Sequence, residues 1–244
     1  MVLATTDIIK NLEDLLDSEY PQTHIAALYC LAEISYDNDF VCQEILIQSQ
    51  VNLRDKIFDK MTYEHEEVVQ FEAAKCLTNV YKSRAIEIMP QCSYMDDDAF
   101  YVRRILNTIV NLCLSDNVEL KHSGAKLLHK FILETPELQL LASYSQKLIQ
   151  GLSKYFTTSS RNKEEHAALR SAAFMAFSAL SESREEIRRI IIEGENIIPH
   201  LKYGLQDECL EVSYTFYGCC FLFRSSDLPS KQDELLHILN QTNN

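Results

Sequence analysis

QFEAAKCLTNVY, residues 70–81, decides the fold. Small Ala73 and Ala74 sit among apolar Cys76, Leu77 and Val80, while Lys75 and Asn79 lie one turn apart on a different face. In a helix, such a pattern lets a neighbour approach closely at the alanines, and the larger side chains fill the grooves around the contact. Four more stretches repeat the design: HIAALYCLAEIS (24–35), KHSGAKLLHKFI (121–132), LRSAAFMAFSALS (169–181) and EVSYTFYGCCFLF (211–223). Setting Leu28, Ala74, Ala125, Ala173 and Thr215 in register gives successive intervals of 46, 51, 48 and 42 residues. A helical unit returning every ~40–47 residues, lengthened by polar loop insertions, is the signature of a helical solenoid. The expected fold is all-α, a single array over residues 1–244.

Reading outward from 70–81 places the other elements. Thr6 or Asp7 caps a first helix, IIKNLEDLL (8–16), with Ile8, Ile9, Leu12, Leu15 and Leu16 in one stripe. Pro21 breaks the chain ahead of 24–35. CQEILIQ (42–48) and NLRDKIFDKM (52–61) form the first two helices of the next unit, and 70–81 is the third. FYVRRILNTIVNLCL (100–114) opens a unit that 121–132 closes, Pro136 ends that helix, and 136–156 supplies a short-plus-long pair. TTSSRNKEE (157–165) has no apolar period and reads as an exposed insertion. Beyond 169–181, a short helix ends near Gly194, Pro199 lies in the first turns of the next, and DELLHILNQTNN (233–244) starts a further unit. The expected units are 7–41, 42–95, 96–135, 136–183 and 184–226, with a partial unit at 233–244.

Composition agrees and excludes several classes. Hydrophobic residues make up 46% of the chain, while five glycines and five prolines suit helices joined by short turns. No run of 18 residues is free of charge, so no membrane-spanning helix is expected. The N-terminus becomes charged before a signal-peptide core is complete, and the expectation is a soluble, cytoplasmic and nuclear protein. Of eight cysteines, Cys30, Cys76, Cys113, Cys219 and Cys220 lie in apolar helical stretches, as small hydrophobes do; there is no CxxC pair. Net charge is −13, of which residues 1–70 carry −10 (14 acidic against 4 basic). That balance disfavours nucleic acid and anionic membranes as partners, because phosphate recognition needs a basic footprint.

The three-helix unit, and AAKCLTNV above all, resembles the armadillo repeat, whose long third helix lines a concave surface. In order, HIAALYCLAEIS, QFEAAKCLTNVY, ETPELQLLASYSQKLIQGLSKYF and LRSAAFMAFSALSESREEIRRIIIE are similar to the central repeats of the armadillo repeat-containing protein 8 family. That family supplies the armadillo subunit of the CTLH (GID) ubiquitin ligase complex. The resemblance runs over about 8–226 and implies a right-handed α-α superhelix of about five repeats. Its members are longer at both ends, so the resemblance implies a fragment, a short isoform or a divergent homologue. The family's C-terminal repeats, which hold the substrate-receptor subunit, have no counterpart in this sequence.

Within that resemblance, the positions equivalent to Lys75 and Asn79 face the groove. They are Tyr29, Lys75, Lys126, Phe174 and Phe216 in one row, and Glu33, Asn79, Lys130, Ser178 and Cys220 in the other. Importin-like armadillo proteins hold basic peptides with Asn and Trp ladders there; this chain has no tryptophan and only Asn79 at an Asn position. What remains is a basic centre of Lys75, Lys82, Lys126 and Lys130, with His122 close by, flanked by Tyr29, Phe174 and Phe216. The expected binding site is therefore Tyr29, Glu33, Lys75, Asn79, Lys82, Lys126, Lys130, Phe174, Ser178 and Phe216.

No catalytic constellation appears. His122 and His129 share one side of a helix but have no thiol or carboxylate placed for a relay. Asp96–Asp98 lacks the regular oxygen ligands and glycine turn of a metal loop, and His65 beside Glu66 and Glu67 reads as a solvated helix start. No GxxxxGK[ST], GxSxG or HExxH occurs. The expectation is a non-catalytic scaffold that binds other protein subunits, with no cofactor, metal or small-molecule substrate. One alternative is a general armadillo adaptor that binds an extended peptide or regulatory partner outside ubiquitin chemistry.

Overall fold

A computed structural model describes residues 2–48, 53–88, 97–157 and 163–194. Every regular element among the described residues is helical, and the chain divides into two compact units, Met1–Ile109 and Val110–Asn244. The first holds α1 (Val2–Leu15), α2 (Pro21–Ser35), α3 (Asp39–Gln43), a π-helical turn (Glu44–Gln48), α4 (Leu53–Asp59) and α5 (Glu67–Ile88). The division falls inside α6 (Asp97–Cys113). The second holds α7 (Val118–Ile132), α8 (Pro136–Ser143), α9 (Gln146–Thr157), α10 (Lys163–Ser181) and α11 (Glu185–Gly194). The stretches 211–223 and 233–244, with Pro199, Thr215, Phe216 and Cys220, lie outside the described residues.

Local signals set several of the helix starts. Pro21 and Pro136 each occupy the first turn of their helix, where a missing N–H costs nothing and φ is already helical. Asn117 caps α7 with its side-chain oxygen, which accepts from the amides of Glu119 (2.9 Å) and Leu120 (3.3 Å). The first helix departs from expectation: it begins at Val2, so Thr6 and Asp7 lie inside it rather than at its start. The supposed insertion at 157–165 is also shorter, since Thr157 still belongs to α9 and Lys163 already opens α10.

The widest helix contacts are α2 with α5 in one unit and α7 with α10 in the other. Leu28, Ala74, Ala125 and Ala173, the residues that set the repeat register, are all fully buried. Around them Leu31, Leu77, Tyr81, Leu128, Phe131 and Phe177 are buried too, each removing apolar surface that contributes about 1.5–3 kcal/mol. Gly124 marks the tightest approach. A Cβ there would lie 3.0 Å from the Cys113 amide nitrogen, so α7 fits only because the side chain is missing.

Three joints between consecutive helices share one construction. α2 ends at Ser35, α7 at Ile132 and α10 at Ser181, and in each case the next helix starts four residues later. A helix leaves its last carbonyls without internal partners. Seven residues past each end, a side chain donates back to the final carbonyl. Cys42 Sγ reaches Ser35 O at 3.3 Å, Gln139 Nε2 reaches Ile132 O at 3.1 Å and Arg188 Nη1 reaches Ser181 O at 2.7 Å. The first two joints also turn through a left-handed residue, Asp37 (φ 48°) and Glu134 (φ 60°).

Candidate protein-interaction surface

In the first unit, α2 and α5 bring one predicted group of residues together. Tyr29 and Glu33 stand one turn apart on α2; Lys75, Asn79 and Lys82 follow the same spacing on α5. Lys75 Nζ pairs with Glu33 Oε1 at 2.7 Å and lies 4.7 Å from the centre of the Tyr29 ring, a cation held by a carboxylate and an aromatic face. Tyr29 is half exposed. Asn79 is already engaged: its amide donates to Ala32 O at 2.7 Å and lies 3.5 Å from Ser35 Oγ. It ties the end of α2 to α5. Glu72, one turn before Lys75, was not expected here. Burial pushes its carboxyl above the ordinary range, Lys75 opposes the shift and Glu33 adds to it.

The second unit presents Lys126 exposed, with Lys130 and Ser178 partly exposed, on α7 and α10. Phe174 departs from expectation. It is completely buried, among the largest core side chains, and so belongs to the packing of α10 rather than to an accessible face. The reason lies in α10 itself. Ser171, Ala172, Ala173, Ala176, Phe177, Ala179, Leu180 and Ser181 are buried as well, so the helix is enclosed on most sides. The run SAAFMAFSALS has no charge in it, and that absence of a polar face was the available signal.

Three other residue groups can be placed. His65 is not a solvated helix start: its ring meets that of buried His24 edge-on at 6.2 Å, and His24 Nε2–H donates to Ser18 O at 2.6 Å. Burial chiefly, with Lys60 second, lowers the proton affinity of His65, against Asp59 at 4.0 Å. Cys42, Cys76 and Cys113 are buried thiols, and burial pushes Cys76 up to about 12; Cys30, expected among them, is exposed. Among the described residues, no three His, Cys, Asp or Glu side chains are placed to hold a metal ion. No described helix is long and apolar enough to cross a membrane.

No family model matches the chain. It is 28% identical over 233 residues to Armadillo repeat-containing protein 8 of Pongo abelii, a match covering 89% of this chain and 33% of that protein. The chain thus spans about a third of the length of the curated relatives it matches. Among solved structures it is similar to a designed armadillo repeat protein, with a TM-score of 0.71, 14% identity, and 95% and 90% of the two chains covered. A second designed armadillo repeat protein, solved in complex with the peptide (KR)4, gives a TM-score of 0.70 at 15% identity, covering 95% and 90%. The fold is an all-α armadillo-type solenoid, and its curated relatives are named Armadillo repeat-containing protein 8.

Proposed function

We propose that this protein is a non-catalytic scaffold of a CTLH/GID-type ubiquitin ligase complex, acting in proteasomal protein degradation in the cytoplasm and nucleus. The observation that supports this reading is the similarity to Armadillo repeat-containing protein 8 across 89% of the chain. Scaffolding needs extended surface rather than a reactive group, which repeat arrays supply by stacking units. The proposed contacts are the members of the third-helix rows: Tyr29, Glu33, Lys75, Asn79 and Lys82 in one unit, Lys126, Lys130 and Ser178 in the other, and Phe216, which lies outside the described residues.

A second reading, an adaptor for an extended peptide outside ubiquitin chemistry, draws on the half-exposed Tyr29 over Lys75. The solenoid bound to (KR)4 is a poor guide to that peptide, since Asn79 is spent on Ala32 and Lys75 already carries positive charge. Affinity purification of the tagged chain from cells, read by mass spectrometry, separates the readings. Recovery of RING-containing ligase subunits supports the first, and a clean set of partners without them retires it. Lys126→Glu with Lys130→Glu should weaken whichever partner is captured. Two reversals are needed because exposed pairs are each worth only about 0.2–1 kcal/mol.

A further inference from the structure

The first unit carries another cluster, on α4 and α6. Phe100 is 56% exposed, and its ring lies 5.8 Å from that of Phe58. Tyr101 meets Phe58 edge-on at 4.7 Å and stacks with buried Tyr81 at 6.2 Å. Two guanidinium groups cover these rings: Arg54 lies 4.2 Å from the centre of Tyr101, and Arg104 lies 5.7 Å from that of Phe58.

The arginines pack alike but differ in charge balance. Arg54 has a carboxylate at hand, Asp55 at 3.2 Å, and the Tyr101 hydroxyl donates to the same oxygen. Arg104 has no ion pair or hydrogen bond among the described residues, and its Nε is buried without an acceptor. Lys56, on α4, is committed to Glu13 and Asp17. A guanidinium laid over an aromatic face keeps its in-plane N–H groups for an acceptor, and a carboxylate matches their fork. Phe100 is one turn from Arg104 on the same side of α6, so cation and exposed ring are presented together.

We propose that the Phe58–Phe100–Arg104 face of α4 and α6 docks a protein segment bearing a carboxylate beside an apolar side chain. The carboxylate pairs with Arg104, and the apolar group covers Phe100. Arginine and aromatic side chains at such a centre are the residue types that dominate interface energetics.

The test is selection of a random dodecapeptide phage library on the full chain. Enriched peptides should carry Asp or Glu next to a Leu, Ile or Phe. Their affinity should fall at least about tenfold in Phe100→Ser and in Arg104→Gln, with the melting temperature of each variant checked in parallel. Selection on Arg104→Glu should favour Lys or Arg at the same place. Phe100 is exposed, so its variant tests the proposal even if changes at Arg104 disturb folding. Peptides without a carboxylate, or binding indifferent to both Phe100→Ser and Arg104→Gln, would overturn it. So would self-association in light scattering that Phe100→Ser abolishes, because the occupant would then be a second copy of the chain.

Discussion

The α2–α5 pair and the α7–α10 pair are one construction made twice with different side chains. In both, the register residues are buried and the joint that follows closes by a hydrogen bond from seven residues on. The first pair turns its next row outward, as Tyr29 and Lys75; the second keeps Lys126 outward but turns Phe174 into the core. The first joint closes with the Cys42 thiol, beside Asn79 of α5. The second closes with Gln139, which also donates to Glu182 Oε2 at 3.0 Å and accepts from the Ser183 hydroxyl. Glu182 in turn accepts the Glu134 amide at 3.0 Å. Backbone geometry is thus held by the repeat, while each repeat decides separately which side chains are solvated and how firmly its joint is tied.

The sharpest break between the pairs should come at the row after the register residue. Phe174→Ala removes a fully buried ring and is expected to cost about 3–5 kcal/mol, where Lys75→Ala costs under about 1 kcal/mol, both read by denaturant unfolding. Equal losses would mean the two rows do not differ. At the joints, Gln139→Leu should cost about 2–4 kcal/mol, because it strands a buried carbonyl and weakens the tie to Glu182. Cys42→Ala gives up only a weak donor and a small side chain, about 1 kcal/mol.

A finer contrast lies in the left-handed residues. Asp tolerates that conformation better than Glu, so Glu134→Gly should stabilise by about 0.5–1 kcal/mol while Asp37→Gly stays near zero. Matching responses in thermal melts would show that side-chain type is irrelevant at these turns. The smallest expected effect is on pH. His65 binds its proton less well in the folded chain, so the unfolded chain takes up more protons in mild acid. Its contribution is fully present above roughly pH 6.5 and declines below that, toward the depressed folded value. His65→Gln should flatten the dependence of the melting temperature in that window.

Much of this was legible in the chain. The helices over 24–35, 70–81, 121–132 and 169–181 follow from apolar period, but Pro21 and Pro136, read as breaks, each open a helix instead. Sequence period names the buried register residue but not the width of the buried arc, and Phe174 was misplaced for that reason. Thr6 and Asp7 are good caps by type, yet the helix runs on to Val2. Arg104 over Phe58 joins α6 to α4 across a loop and a whole intervening helix, a contact no local pattern announces. Lys75 and Glu33 are likewise remote in sequence, and only the stacking of α5 on α2 makes them a pair.

The joint bond has a consequence for how such a chain changes over time. What must be satisfied at each helix end is a backbone carbonyl, and a carbonyl accepts from a thiol, an amide or a guanidinium alike. Natural selection therefore has little to preserve in the identity of that side chain, so long as some donor remains. Positions that hold the architecture together are free to drift in spelling. A lineage built this way loses its written resemblance to its kin much faster than it loses its shape.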